Sequence, residues 1–420
     1  MTDAVTLLQG ARLPLWLLPG DWPRTPQGEP ALADIRLAQG RIEHVVPAQA
    51  PVAAPGVALL GGAPVLPGLV DAHTHLDKTF TLRRMGAVRP GLLGAIEAMM
   101  TDRAGWTPED VRARADRALH WAWQAGVTRL RTHCDWWEPD APPLAWPVLR
   151  ELAEAWRGRL AIDRASLVPL SLYADAATAE RIARTVAASG PGALLGGFVH
   201  SHHWDPQALR HLLEAAQRHG LDVDLHCDEE LNPAAQGLAE TARLLRALRF
   251  EGRVVCGHTC ALAAKPEDEA LAILDAVAEA PITLVTLPMT NLLLQDAVTG
   301  RSPRLRGLTL TQEARLRGIP LLCASDNVQD PFCAVGSYDP LEAFGTGVLA
   351  GQWREPFDRW SDLLCRADHL ACGALGTGTL PLRPGDAADL VVFPQADAWG
   401  FPSRTQPRRV LRAGTWLPTP

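Results

Sequence analysis

Lysine is almost missing from this 420-residue chain. Only Lys78 and Lys265 occur, and arginine carries the other positive charges. The bias reads as genomic composition rather than function. The net charge is −7 and no basic stripe is present, which argues against a nucleic-acid partner. Paired cysteines are missing too. None of the eight forms a C-x-x-C pair, and Cys227, Cys256 and Cys323 sit in apolar, strand-like runs. They read as buried reduced thiols, so the expected compartment is cytoplasmic. No apolar run is long enough to cross a bilayer. The stretch Leu13–Pro19 is short, broken by proline and preceded by no basic segment, so it reads as neither signal peptide nor membrane span. H-E-x-x-H, G-x-S-x-G and P-loop motifs are absent, and Gly345-Thr346-Gly347 lacks the third glycine of a dinucleotide loop. That tripeptide reads instead as a turn or a point of close packing.

An apolar fraction of 47% with 21% charged residues is ordinary for a globular protein. The middle of the chain alternates apolar runs with amphipathic stretches. Eight runs stand out: 65–75, 126–135, 160–169, 193–201, 221–229, 253–259, 282–288 and 319–327. Between them, residues 108–124, 176–188, 206–218, 233–248 and 266–278 have helical patterning. Several open with proline at the first turn behind a capping candidate, namely Thr107, Asp205 or Asn232. Eight strands alternating with helices predict an α/β fold of the (β/α)8 TIM-barrel type. The two chain ends hold short β-like pieces with glycine turns. Residues 1–65 and 376–420 are therefore expected to form one small β-sandwich domain bracketing a catalytic barrel at 66–375.

In such a barrel the C-terminal ends of the strands build the active site. Here those ends carry His73 and His75, Thr132-His133-Cys134-Asp135, His200-Ser201-His202, His226-Cys227-Asp228-Glu229, His258-Thr259 and Ser325-Asp326-Asn327. His73 and His75 are two apart, so in a strand their imidazoles share a face. A mononuclear centre follows from His73, His75, His226 and Asp326, a mix that suits zinc or iron(II). Coordination brings the pKa of a bound water to about 7. A dinuclear site bridged by a modified lysine is disfavoured, because no lysine ends a strand. Glu229 is placed to shuttle protons and His258 to orient the water or stabilise negative charge, with Asp326 serving both metal and catalysis.

The assembled motifs resemble the amidohydrolase superfamily, and within it the bacterial cytosine deaminase group. The resemblance spans essentially the whole chain. It is carried by the segment 67–78, Arg131-Thr132-His133, His226-Cys227-Asp228-Glu229, Gly257-His258-Thr259, Ser325-Asp326-Asn327 and the tail segment 385–392. It implies the same four metal ligands, Glu229 as proton shuttle and His258 as water-orienting or general-base histidine. It implies release of ammonia from an aminated N-heterocycle of pyrimidine, purine, pterin or triazine type.

Two departures stand out. Leu170 follows Pro169 where the cytosine enzymes carry a glutamine, so Leu170 is expected to face the ring and to make cytosine a poor substrate. Asp326-Asn327 and His75-Leu76-Asp77-Lys78 look more like the N-isopropylammelide amidohydrolases, which lack the His-Cys-Asp-Glu run kept here. Lys78, Asn327, His202 and Trp204, with Leu170, are the expected substrate contacts. Loss of an alkylamine from a triazine-like ring and a non-catalytic scaffold are the alternatives. The expected partner is a small heterocycle, with no nucleic acid and no membrane. A homo-oligomer is left open.

Overall fold

A computed structural model describes residues 5–370 and 381–418. Eight parallel strands run in sequence order: Leu69–Thr74, Val127–Asp135, Ala161–Leu167, Ala193–Val199, Val223–Cys227, Val254–His258, Ile282–Thr286 and Leu321–Cys323. A parallel bridge between Thr74 and Asp326 joins the eighth strand to the first, and the Asp326 N–H donates to the His73 carbonyl at 2.8 Å. The sheet thus closes at its C-terminal rim, where the predicted site lies.

Alternation along each strand sorts its side chains. On the second barrel strand, Leu130 and Cys134 join the hydrophobic layer shared with the helices. The intervening residues Arg129, Arg131, His133 and Asp135 occupy the other face. Arg129 meets Asp163 at 3.0 Å and Arg131 meets Asp224 at 2.7 Å, so buried charges at this level are paired. His133 and Asp135 follow at the top.

The run 65–75 is one apolar stretch but two strands. Val65–Pro67 pairs antiparallel with Leu390–Val392, and Leu69–Thr74 belongs to the barrel. Gly68 is the joint, and a Cβ there would come within 2.2 Å of Thr128 Cγ2. The chain ends form two four-stranded sheets. One contains Leu7–Ala11, Ala33–Ala38, Arg41–Pro47 and Val57–Leu59; the other joins Val65–Pro67 to Leu390–Val392, Arg409–Arg412 and Thr415–Trp416. Leu8, Ile35, Ile42, Val65, Leu390 and Leu411 share one apolar core between them. Pairing is antiparallel apart from Leu7–Ala11 with Val57–Leu59. The expected boundary at residue 376 lies outside the described residues.

Thr107 and Asp205 cap the helices Pro108–Ala125 and Pro206–Arg218 through their side chains, as expected. Asn232 does not cap a helix. It heads a turn, accepting from Ala234 N, and the helix begins only at Gly237. Gly345 and Gly347 lie on the helix Pro340–Ala350, where Gly347 packs closely on Trp353. The described cysteines, seven of the eight, are buried and unbridged.

Candidate metal centre and active site

Three imidazoles converge at the barrel mouth. His73 Nε2 lies 3.1 Å from His226 Nε2, which lies 3.2 Å from His75 Nε2. Asp326 Oδ1 is 3.2 Å from His75 Nε2 and 3.7 Å from His73 Nε2. All four side chains are buried. Ligands held tetrahedrally at 2.0–2.1 Å from one ion are separated by roughly 3.3 Å, so the spacing suits a shared cation. Burial, then the neighbouring histidines, hold His73 well below the usual imidazole range. Burial likewise holds His75 and His226 down. They are therefore neutral donors, the form a metal binds. Their Nδ1 atoms have no hydrogen-bond partner. Burial also pushes the Asp326 carboxyl up to about 8, and a bound cation would reverse that shift. The donor set fits one divalent ion. Among the described residues, His73, His133 and Asp224, and His73, His258 and Asp326, also cluster closely enough to share an ion.

Backbone strain gathers on this rim. Asp228, His258, Thr259 and Asp326 all have positive φ, between 50° and 68°. Gly257 lies beneath His73, where a Cβ would come within 2.9 Å of its ring. Glu229 is buried, with Oε1 3.5 Å from His258 Nδ1. Burial first, and then the charge of Asp326, hold Glu229 well above the usual carboxyl range, while Lys78 pulls the other way. Burial lowers His258 to about 3. The Asn291 amide nitrogen lies 3.0 Å from His258 Nδ1. With that nitrogen as donor, the neutral ring carries its proton on Nε2, which has no protein partner.

A cavity opens beside these groups. His75, His226, Glu229 and His258 line its floor, and Lys78 and Asn327 its wall. The Asn327 amide donates to Asp330 at 2.7 Å, which leaves its oxygen as an acceptor.

The amidohydrolase family model matches residues 81–416. The chain belongs to this family. It is 36% identical over 385 residues to a pterin deaminase of Rhizobium rhizogenes, covering 91% of this chain and 87% of that protein. Its fold matches the 5-methylcytosine deaminase of Klebsiella pneumoniae, crystallised with 5-fluorocytosine, with a TM-score of 0.83 at 22% identity, covering 99% and 97% of the two chains. It also matches the N-isopropylammelide isopropylaminohydrolase of Burkholderia multivorans, with a TM-score of 0.73 at 25% identity, covering 99% and 98%. This amidohydrolase is a metal-dependent hydrolase of carbon–nitrogen bonds.

Three expected substrate contacts lie elsewhere in the amidohydrolase. Pro169 lines the cavity, but Leu170 opens the short helical turn Leu170–Tyr173 and is buried in the strand–helix core. The turn swings its side chain off the barrel mouth, so Leu170 does not face a ring bound in the cavity. His202 is exposed on the turn Ser201–His203, and Trp204 packs half-buried on the outer core. Neither lines the cavity, because the chain leaves the rim immediately after His200. His133, named in the sequence only as a strand-end residue, lies against His73 with ring centroids 3.9 Å apart and the rings tilted by 31°. One cavity wall was not foreseen. The helix Leu92–Arg103 presents Leu92, Ile96 and Met99 to the cavity. Their spacing of four and three is the available signal.

Proposed function

We propose that this amidohydrolase deaminates an aminated bicyclic N-heterocycle of the pterin type. The supporting observation is the cavity, which is lined beside the histidine cluster by the apolar side chains Leu92, Ile96, Met99, Trp137, Phe198 and Phe332. Apolar walls of this kind sandwich flat rings while a few polar groups fix their orientation. The 36% identity to a pterin deaminase supports the same ring class.

His73, His75, His226 and Asp326 would hold one divalent ion, zinc or iron, which supplies a Lewis acid and makes water nucleophilic near neutral pH. Glu229 takes a proton from the attacking water and delivers it to a ring nitrogen. The water oxygen bonds to the ring carbon that bears the amine. His258 donates from Nε2 to that oxygen as charge develops. Glu229 then takes the remaining proton from that oxygen and passes it to the departing nitrogen, the C–N bond breaks as the C=O forms, and ammonia leaves an oxo-substituted ring. Asn327 accepts from the ring through its amide oxygen. Lys78 stays charged because Asp135 and Asp77 offset its burial. No helix among the described residues is long and apolar enough to cross a membrane, and the buried thiols support a cytoplasmic setting.

Ammonia release tests this reading. Purified protein loaded with zinc or iron is assayed on pterin, guanine, cytosine, 5-methylcytosine and N-isopropylammelide. Turnover of pterin with kcat/KM above roughly 10⁴ M⁻¹s⁻¹ is the expected result. Release of isopropylamine from the triazine, without ammonia from pterin, would overturn it.

A further inference from the structure

Asp135 ends the second barrel strand on the same face as His133, and it lines the cavity together with His75, His226 and Glu229. Its side chain is buried. One carboxylate oxygen, Oδ1, sits 2.7 Å from Lys78 Nζ. The other, Oδ2, is buried with no hydrogen-bond partner. Its backbone N–H donates to Asp77 Oδ2 at 2.9 Å, which locks the rim at this residue. Among the described residues Asp71, Asp77 and Asp224 also keep one buried oxygen unpaired, but of these four only Asp135 lines the cavity; a buried carboxylate is normally satisfied on both oxygens, because an unmet acceptor is costly. Asp330, nearby, shows that state: it accepts from the Asn327 side chain and from the backbone of Phe332 and Cys333. Asp135 is left half-used.

Lys78 is its complement. The ammonium has three hydrogens; Asp135 takes one, and the group lies 4.7 Å from the centroid of the Phe332 ring. Trp137, two residues on and in the same wall, holds a buried indole N–H with no partner. The cavity wall therefore offers a carboxylate acceptor and an ammonium donor side by side. The group that answers both at once is a ring amide, an N–H next to a C=O.

We infer that Asp135 is a specificity-determining residue, which accepts from a ring N–H while Lys78 donates to the adjacent carbonyl, so that the pocket selects aminated lactams. Asp77 is a positioning residue, acting through the Asp135 backbone. This inference rests on the proposed deaminase reading and extends it to the lactam N–H and C=O beside the carbon that bears the amine.

The experiment compares pterin with 3-methylpterin, whose ring N–H is replaced by N–CH₃, in wild type and Asp135→Asn. Metal content is measured for both proteins. The expected result is unchanged metal and a loss of about 10²-fold or more in kcat/KM on pterin, mainly through KM. On 3-methylpterin the two proteins should be equally poor. An equal loss on both substrates would make Asp135 structural and overturn the inference. If the variant does not fold, wild type alone decides: equal kcat/KM on the two substrates overturns the inference, and strong preference for pterin supports it. If wild type does not turn over pterin at all, the substrate reading has failed separately. The same pair is then run on the ring that is hydrolysed and its N-methyl analogue.

Discussion

His226 and Glu229 lie three residues apart, and both are buried at the floor of the cavity. They should nevertheless fail differently. His226→Ala removes one of three converging nitrogens, so metal per chain, measured by elemental analysis after dialysis, should fall well below wild type. Undiminished metal would take His226 out of the ligand set. Glu229→Gln keeps the shape and the hydrogen-bonding reach but can carry no exchangeable acid proton. Metal should stay at the wild-type level while ammonia release falls about 10²–10⁴-fold. A variant within a few-fold of wild type would assign proton shuttling elsewhere. Both residues were legible in the chain because each belongs to a short run of metal-binding and acidic types ending an apolar stretch. Asp135 was visible in the same way, as the end of Thr132-His133-Cys134-Asp135. Its pairing with Lys78 was not, since 57 residues separate the two.

Capping shows how far elements can be read locally. Thr107 and Asp205 sit beside the helices they cap, and local patterning found them. The helix Gly237–Leu248 is capped from a distance. Asp228, leaving the fifth barrel strand, accepts from Gly237 N at 3.0 Å and Leu238 N at 2.9 Å. Nothing in the local pattern separates this from a cap by Asn232. Asp228→Ala should therefore cost about 1–2 kcal/mol in urea unfolding, and Asp228→Asn, which keeps an acceptor, less. Burial pushes the Asp228 carboxyl up to about 6, from an ordinary 3.8. The folded state thus favours the protonated form. This group's contribution to stability is complete below about pH 4 and is lost as pH rises through 6. Asp228→Asn lacks that slope, so its stability relative to wild type should rise between pH 4 and pH 6 and level off above. A constant difference across that window would show that the carboxyl does not titrate with folding.

The whole molecule is joined at Gly68, where the small β domain hands the chain to the barrel. Gly68→Ala would drive a methyl into Thr128 Cγ2. Overpacking of this kind costs roughly 1–3 kcal/mol, which a drop in Tm would show. Thr128→Ser removes the methyl and keeps the hydroxyl that donates to the Leu69 carbonyl. Added to Gly68→Ala, it should recover much of the loss; simple additivity of the two changes would refute the proposed clash.

By itself the sequence determined the architecture and the inner ring of the site. Periodicity declares strands and helices, and strand-end residues of one barrel must meet at one rim, so His73, His75, His226, Glu229, His258 and Asp326 could be grouped before any coordinates. Only the tertiary structure decided which way the loops beyond that rim turn. One helical turn buries Leu170, another turn takes His202 and Trp204 off the mouth, and the helix Leu92–Arg103 folds over to supply a wall. A strand end is placed by the sheet's hydrogen bonds, which sequence pattern encodes. A loop side chain is placed by packing against residues far along the chain, which local pattern does not record.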